Sequence, residues 1–356
     1  MSRRRRAGLL GAVAGAVAVG AAAGLAAERY AIGRSRLAPD PDRDEPYFCL
    51  PADRVRRVIA DDGVPLHVEE VGPQRAPVTV IFCHGYTQQL AVWHYQRQAL
   101  ASEGIGKLVF WDQRSHGKSG RSSVGRSTID QLGSDLHAVL EATAPTGKVV
   151  LVGHSMGGMT IMALAAQRPD LFGSRVVGVA LLGTSTGKMA SVTFGLPAVF
   201  TGINRRVLPF VTRGMQGQPQ LFERGRRLGT DLAFVATRRA AFGGTDVSPS
   251  LVEFVEKMTA DTPVDVIAEF YDTFVDHDKL GSLGVLDGVE TLVLVGSKDV
   301  VTPVDHSRTI AAALPHAQLV VVEGAGHMVQ LERAAMVTLH LRALVRRATR
   351  AASRTA

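Results

Sequence analysis

The chain has 356 residues, of which 46% are hydrophobic and 37 are glycine, enough for one large α/β domain with an insertion or for two smaller domains. The formal net charge is +7, but much of the positive charge lies in residues 3–6 and 342–356, at the two ends of the chain. Because no central basic patch is interleaved with aromatic residues, we do not expect nucleic acid as a partner.

The two cysteines are too few for a disulfide framework. Cys83 ends an apolar run and is expected to pack as a small hydrophobic side chain, whereas Cys49 lies in a proline-flanked segment. A bond between them would require an oxidising compartment. No cysteine or histidine spacing in the sequence is typical of a metal site, so we expect neither a metal nor a cofactor.

Residues 1–30 form a separate N-terminal segment, an arginine cluster followed by an uncharged Ala- and Gly-rich run over residues 7–27. As a helix, such a run is long enough to cross a hydrocarbon core of about 30 Å. The positive-inside rule then keeps the arginines cytoplasmic, so we expect a membrane-anchored protein with its body outside the cytoplasm. The alternatives are a signal peptide cleaved near residues 21–23 and a cytoplasmic protein whose segment never inserts. Residues 31–53 follow as a proline-rich polar linker.

Residues 54–186 alternate between strands and helices. A β-hairpin is predicted over residues 54–71, with its turn at Asp62 and Gly63. Four buried strands then alternate with three helices. The strands are predicted over 78–83, 108–111, 149–152 and 176–182, and the helices over 92–102, 128–143 and 156–167. Thr128 and Gln131 form a capping box at the second helix. Apolar strands that alternate with helices are typical of a parallel sheet covered on both faces.

The alternation stops over residues 187–284, which are predicted to form a helical lid inserted into the α/β core. It resumes with strands over 291–295 and 318–322. Between these strands a helix is predicted, with Thr302 as its N-cap and Pro303 at its first position. A closing helix is predicted over 329–347. The core therefore comprises residues 54–186 and 285–348, and a basic tail follows over 349–356.

The motif "GHSMG", residues 153–157, stands between a predicted strand and a predicted helix. It matches G-x-S-x-G, in which the glycines allow a sharp turn and the serine is held in a strained conformation with its hydroxyl above the sheet. A nucleotide-binding turn is the alternative, but the sequence lacks both G-x-G-x-x-G and G-x-x-x-x-G-K-[ST] there. We therefore predict that Ser155 is a nucleophile and that His154 shapes the turn without serving as its base.

A serine nucleophile needs a base, and the base needs an orienting group. Asp299 follows the strand predicted over 291–295, and His327 lies in a glycine-flanked loop after the strand predicted over 318–322. Both positions are at the carboxyl ends of strands, the edge where open α/β sheets bind ligands. We therefore predict a catalytic triad of Ser155, Asp299 and His327. Three other aspartates are weaker alternatives for the acid: Asp305, Asp276 and Asp278.

Acyl transfer also requires hydrogen-bond donors for an oxyanion. The predicted donors are the backbone N–H groups of Met156, which follows the nucleophile, and of Tyr86, in the "HGYT" loop after the strand at 78–83. His84 and Gly85 shape this loop, and His84 is expected to be structural. The predicted substrate pocket combines this loop, the elbow and lid aromatic residues: His84, Gly85, His154, Phe242 and Phe274, with the Tyr86 side chain as a further candidate.

From about residue 54 to residue 347, the chain resembles the α/β-hydrolase fold family of the lidded type with a serine nucleophile. Five motifs carry the resemblance in the family's order: "CHGYT", "WDQRSHGKSG", "VGHSMGGM", "GSKDVVTP" and "GAGHM". The second is similar to the family's D-x-R-G-H-G-x-S loop, with Ser115 where glycine is commoner, which implies structural roles for Asp112, Arg114 and His116. The resemblance implies a mostly parallel central sheet with helices on both faces and an inserted helical lid.

The resemblance also separates possible activities. Haloalkane dehalogenases and epoxide hydrolases of this fold use an aspartate nucleophile where this chain has Ser155, and the HGGG-type oxyanion motif of some lipases and esterases is absent. It implies a serine hydrolase that cleaves an ester bond of a small hydrophobic acyl substrate through an acyl-enzyme, without metal or cofactor. An acyltransferase with the same triad, hydrolysis of a thioester, lactone or C–C bond, and a non-hydrolytic receptor remain open.

Overall fold

The computed structural model describes residues 39–123, 125–187 and 230–354. Over these ranges the chain forms one eight-stranded sheet with helices packed on both faces. The predicted α/β architecture, with a mostly parallel central sheet, is therefore confirmed.

The strands follow the sequence patterns closely, with ends that differ from the predicted ones by at most two residues. They are β1 Arg54–Ile59, β2 Pro65–Val71, β3 Val78–Cys83, β4 Lys107–Trp111, β5 Lys148–His154, β6 Val176–Leu182, β7 Glu290–Gly296 and β8 Gln318–Val322. Their order across the sheet is β1-β2-β4-β3-β5-β6-β7-β8. β2 pairs antiparallel with both β1 and β4, and all other neighbours are parallel. The predicted hairpin is β1 and β2, and Gly63 in its turn has φ +86°.

The central strands are buried on both faces, which explains their continuous apolar sequences. Along β3, Val80 and Phe82 pack into one hydrophobic cluster, and Ile81 and Cys83 pack into the cluster on the other face. The two cysteines are free thiols, Cys49 exposed and Cys83 buried. The two largest apolar clusters of the core are therefore layers separated by the sheet.

The helices connect the parallel strands and close the two layers. They are α1 His94–Ser102, α2 Ile129–Thr143, α3 Met156–Gln167, α4 Thr230–Ala241, α5 Pro249–Asp261, α6 Val264–Asp276, α7 Val304–Ala313, α8 Val329–Glu332 and α9 Ala334–Arg354. Short 3₁₀ turns lie at Leu90–Trp93, Pro169–Leu171 and Leu280–Leu286. The segment predicted as a lid thus contributes three helices over 230–276, while its residues 188–229 lie outside the described residues, among them Phe194, Phe200 and Phe210.

Two predicted helix caps differ from the observed ones. Thr128 caps α2 through a hydrogen bond from the Gln131 N–H, but the Gln131 side chain turns away to Asp61, so only half of the predicted capping box forms. At α7 the N-cap is Pro303 and not Thr302. The reason is a local contact, because both the backbone N–H and the hydroxyl of Thr302 donate to Asp299, three residues earlier.

The closing helix also differs from the prediction. A break at Arg333 divides it into α8 and α9, and α9 continues to Arg354, so most of the predicted basic tail is helical. Ala348 and Ala352 pack in the core on one side of this extension. The side chains of Thr349 and Ser353 bond to the carbonyls four residues earlier.

The prediction of a membrane-anchored protein is corrected. Within residues 39–123, 125–187 and 230–354, no helix combines the length and the apolar character that a bilayer-spanning helix needs. The longest of them, α9, has charged residues interspersed along its length. The run over residues 7–27, on which the prediction was based, lies outside the described residues.

Candidate active site

Ser155 occupies a strained turn between β5 and α3, with φ +52° and ψ −117°. A residue other than glycine holds such a conformation only where its surroundings fix it. Here the Ser155 N–H donates to the Leu182 carbonyl of β6 at 2.9 Å, and the Ser155 carbonyl accepts from Thr184 Oγ1 at 2.7 Å. A Cβ at Gly153 would lie 2.5 Å from the carbonyl carbon of Gly157. The G-x-S-x-G sequence therefore folds as the tight strand–turn–helix that its glycines predict.

Asp299 and His327, which follow β7 and β8, form a direct pair. His327 Nδ1 lies 2.8 Å from Asp299 Oδ2. The same carboxylate accepts hydrogen bonds from the Val301 and Thr302 N–H groups, each at 2.8 Å, and from Thr302 Oγ1 at 2.9 Å. Burial by itself raises the pKa of Asp299, but His327 and the Thr302 donors outweigh it and hold that pKa below its usual value. The ionised carboxylate keeps the His327 proton on Nδ1, so Nε2 is the acceptor nitrogen.

The carboxyl end of β6 borders all three residues of the predicted triad. Its last residue, Leu182, bonds to Ser155. A Cβ at the next residue, Gly183, would lie 3.2 Å from Asp299 Oδ2 and 3.5 Å from His327 Nδ1. All three residues of the predicted triad are less than a tenth exposed. Asp305, the alternative acid, is instead exposed and pairs with Arg308 at 2.9 Å.

The two backbone N–H groups predicted as oxyanion donors belong to neighbouring segments, Met156 to the start of α3 and Tyr86 to the loop after β3. In the described part of the chain, neither the Tyr86 N–H nor the Met156 N–H donates to a protein acceptor. A Cβ at Gly157 would contact the carbonyls of Cys83 and His84, so the start of α3 lies directly against the loop that carries Tyr86. Both amides therefore remain available at the helix N-terminus, where the helix dipole favours negative charge.

His84 and the Tyr86 side chain serve the loop itself. His84 is fully buried, with Nδ1 donating to the Gly85 carbonyl at 2.7 Å and Nε2 accepting from the Gln113 N–H at 2.9 Å. Burial lowers its pKa well below the usual value, so the ring is neutral. The Tyr86 hydroxyl donates to the Ile267 carbonyl on α6. These contacts fix the loop from both sides.

The "DQRSHGKS" segment forms a buried support beneath the site. Asp112 accepts from the Leu90 N–H at 2.7 Å and from the Lys118 N–H at 2.8 Å. Arg114 is fully buried and pairs with Asp135 at 2.6 Å and with Asp62 at 2.8 Å. Ser115 has φ +65°, a left-handed conformation that glycine adopts most readily, which fits the glycine expected here from the family's motif.

The lid residues predicted to line the pocket lie on either side of the site. Phe242 is 5% exposed, and its carbonyl carbon would lie 2.6 Å from a Cβ at Gly326, directly beside His327. Phe274 is half-buried and packs edge-on against Tyr86, with 5.0 Å between ring centroids. Phe270 of the same helix is fully buried against Met156 and its neighbours.

The opposite face of α6 borders a cavity of about 650 Å³ that is rich in carboxylates. Its acidic residues are Asp130, Asp265, Glu269, Asp272, Asp276 and Asp278. No residue of the predicted triad, oxyanion hole or pocket lines it. Helix α6 therefore separates this acidic cavity from the apolar contacts around Tyr86.

Three residues of the site were not found by sequence reasoning. Gln88 accepts from the Gly85 N–H at 3.0 Å, and Thr302 holds Asp299. Glu332 accepts from the N–H groups of Gly326 at 2.8 Å, Gly243 at 3.1 Å and Gly244 at 2.5 Å, and so joins the His327 loop to the segment after α4. Only Thr302 had a usable signal, because a hydroxyl three residues after the predicted acid can reach back to it.

Comparison with known proteins identifies the family. The model of the α/β hydrolase fold matches residues 78–334, well over half of the chain. The chain belongs to the α/β-hydrolase fold family. The matched range spans the whole site, from β3 to the start of α9.

Individual relatives of this α/β hydrolase have several different activities. An epoxide hydrolase of Caballeronia sordidicola is 31% identical over 172 residues, 48% of this chain and 41% of that protein. An acetyltransferase component of an acetoin cleaving system from Pseudomonas putida is 26% identical, covering 75% and 63%. Lipase LipV of Mycobacterium tuberculosis is 34% identical, covering 38% and 50%. The chain thus spans between 41% and 63% of the length of these relatives.

Solved structures share the fold at low sequence identity. An esterase from Thermogutta terrifontis superposes with a TM-score of 0.64 at 23% identity, over 83% of this chain and 99% of that one. An enol-lactonase from Burkholderia xenovorans gives 0.63 at 24% identity, over 82% and 99%. These superpositions establish a common fold.

Proposed function

We propose that this α/β hydrolase is a serine hydrolase that cleaves an ester bond of a small hydrophobic acyl substrate through an acyl-enzyme intermediate. The observation that carries the proposal is the convergence of a strained Ser155 and the Asp299–His327 pair on the carboxyl end of β6. A strained turn exposes a nucleophile, and an ionised carboxylate fixes the base in the tautomer that can accept its proton.

In the proposed reaction, His327 Nε2 accepts the Ser155 proton while the hydroxyl oxygen attacks the ester carbonyl. The Met156 and Tyr86 N–H groups stabilise the oxyanion, and Asp299 stabilises the imidazolium. The proton on His327 then passes to the leaving alcohol as the carbon–oxygen bond breaks. Water, deprotonated by His327, attacks the acyl-enzyme and releases the acid, which restores Ser155 and neutral His327.

The preference for a hydrophobic acyl group is supported by aromatic side chains near Tyr86 and near the His327 loop. Phe270 and Phe274 of α6 pack on its ring, and Phe242 lies beside the His327 loop. These residues belong to the segment over 187–284 that we propose to be a lid. Apolar side chains around a catalytic cleft favour an apolar substituent on the substrate.

Two other reaction classes are considered because of the relatives. The acetyltransferase relative favours an acyltransferase as the second candidate, in which an alcohol replaces water in the second step. The epoxide hydrolase relative is a weaker guide, because enzymes of that class in this fold use an aspartate where this chain has Ser155. Lactones, thioesters and C–C bonds between carbonyls are further substrates open to the same triad.

The test is a series of chromogenic p-nitrophenyl esters with acyl chains of increasing length, hydrolysed by the full chain, by Ser155→Ala and by the matched control Ser134→Ala. Ser134 lies on α2 and bonds to Gln167 on the protein surface. We expect Ser155→Ala to lose at least about 10³-fold in kcat and Ser134→Ala to be unchanged. Full activity in Ser155→Ala would refute the proposal. Product analysis with added alcohols separates hydrolysis from acyl transfer.

A further inference from the structure

His154, the residue before the proposed nucleophile, is fully buried and contacts two oxygen atoms of other loops. Its Nε2 lies 2.9 Å from the backbone carbonyl oxygen of His327. Its Nδ1 lies 3.2 Å from Oε1 of Gln88. The rings of His154 and His327 are adjacent, with 4.7 Å between their centroids.

The contacts determine which nitrogen of His154 carries the proton. Burial, and then the neighbouring His327, lower the pKa of His154 to about 3, so the ring is neutral and has one N–H. A backbone carbonyl can only accept, and its distance of 2.9 Å to Nε2 requires a donor there. The proton therefore lies on Nε2, and the His154 N–H holds the backbone of the residue whose side chain is the proposed base.

Without a proton, His154 Nδ1 forms no hydrogen bond to Gln88 Oε1, and Gln88 makes a separate connection between the His327 loop and the oxyanion loop. Its Oε1 accepts from the Gly85 N–H at 3.0 Å, one residue before the proposed donor Tyr86. Its Nε2 lies 3.3 Å from Sδ of Met328, the residue after His327. Because all these groups are buried, their hydrogen bonds are not replaced by water when one partner is removed.

We propose that His154 and Gln88 are positioning residues for the His327 loop. His154 holds this loop at the Ser155 turn through its Nε2–H bond to the His327 carbonyl, and Gln88 links it to the oxyanion loop through its contacts with Met328 Sδ and the Gly85 N–H. Neither touches the reacting atoms. The proposal rests on the proposed function, since it assigns their effect to the same reaction. The proposal assigns a positioning role to His154, which the motif alone predicts only to shape the turn.

A substitution series at His154 separates this role from simple packing. In His154→Gln the amide nitrogen reaches the position of Nε2, in His154→Asn it reaches only the position of Nδ1, and His154→Phe fills the space without a donor. The order of activity is expected to be wild type, then Gln, then Asn and Phe together. We expect Gln to stay within about threefold of wild type, while Asn and Phe lose about 10- to 100-fold in kcat at a KM within about twofold.

The reaction of Ser155 with an alkyl fluorophosphonate, followed by mass spectrometry, gives a second readout that does not depend on the natural substrate. The rate of labelling is expected to follow the same order as kcat. Gln88→Met, which removes the acceptor for Gly85 at similar volume, is expected to lower both rates. Because the two residues act on one geometry, the double variant with His154→Phe is expected to lose less than the product of the single losses.

Met162→Ala is the matched control, because Met162 is also fully buried but lies in α3, where it packs in the hydrophobic layer that contains Ile81 and Cys83. It is expected to lose thermal stability and to keep its labelling rate. Equal rates in the Gln, Asn and Phe variants, or a loss in Met162→Ala as large as in His154→Phe, would overturn the positioning role. If Ser155→Ala is inactive and unlabelled while His154→Phe reacts normally, the inference fails alone. Activity in Ser155→Ala would refute the proposed function itself.

Discussion

Gly157 and Cys83 are in backbone contact where α3 begins, and a Cβ at Gly157 would collide with the Cys83 carbonyl oxygen. This contact brings the N-terminus of the helix against the end of β3. It therefore holds the Met156 N–H beside the loop that carries Tyr86. The glycine is required by space, since its φ does not lie in the left-handed region.

Replacing Gly157 by alanine is expected to lower the free energy of unfolding by about 3 kcal/mol, because the backbone around Cys83 has to move. Urea denaturation measures this change. Gly281→Ala is the control, since nothing lies within 4 Å of its Cβ position, and it is expected to change stability by less than about 0.5 kcal/mol. Equal stabilities of the two variants would contradict the contact.

Asp299→Asn is expected to lower kcat by about 10³- to 10⁴-fold while the protein stays folded. The amide has nearly the same shape, but it no longer favours a proton on His327 Nδ1 and cannot stabilise an imidazolium. Ester hydrolysis at saturating substrate gives the measurement. Asp305→Asn, at the exposed aspartate of the next helix, serves as control and is expected to keep full activity. The reverse pattern would assign the acid to Asp305.

Glu332→Ala is expected to lower the free energy of unfolding by about 2 kcal/mol, because three backbone N–H groups lose a charged acceptor. The loop of His327 should loosen at the same time, so kcat is expected to fall as well. Glu332→Gln keeps one acceptor oxygen, so its stability and its kcat are expected to lie between those of the wild type and those of Glu332→Ala. Glu323→Ala, at an exposed glutamate, is the control for both measurements. A stable variant with normal kcat would show that the loop does not depend on Glu332.

Acidification is expected to destabilise the protein through its buried histidines. Burial lowers the pKa of His116 to about 4 and that of His154 to about 3, whereas an unfolded histidine titrates near pH 6.5. Between these values the unfolded state binds more protons. Each histidine therefore stabilises the folded state fully above about pH 6.5, and that stability is lost as the pH falls.

The variant His116→Gln tests this slope by urea denaturation at several pH values between 4.5 and 6.5. The free energy of unfolding of this variant is expected to fall less steeply on acidification than that of the wild type, by up to about 1.4 kcal/mol per pH unit. The titration of Asp112 has the opposite effect on stability. Burial raises its pKa to about 6, so the folded state binds the extra proton. Asp112→Asn is therefore expected to steepen the acid loss between about pH 4 and pH 6. Unchanged slopes in both variants would contradict the buried titrations.

Much of the fold was predictable because its signals are local. The strands β3 and β6 and the helix α3 have the predicted bounds, since an apolar run or an Ala-rich helical pattern needs no knowledge of distant residues. The hairpin at Gly63 and the strained turn at Ser155 followed from two short motifs, Asp62-Gly63 and G-x-S-x-G, in their predicted surroundings. Helix ends were less predictable. Thr302 was lost as a cap because Asp299, which the same loop brings close, binds its donors.

The sequence by itself determined the α/β architecture, the order of the elements and the residues that stand at strand ends, because each of these depends on a short stretch of chain. Only the tertiary structure decided how those stretches connect. The bonds of His154 to the His327 carbonyl and of Glu332 to Gly243 and Gly244 join residues up to 173 positions apart. Contacts of that kind leave no periodic signal in one sequence, because they arise only when the parallel strands bring their carboxyl ends to one edge of the sheet.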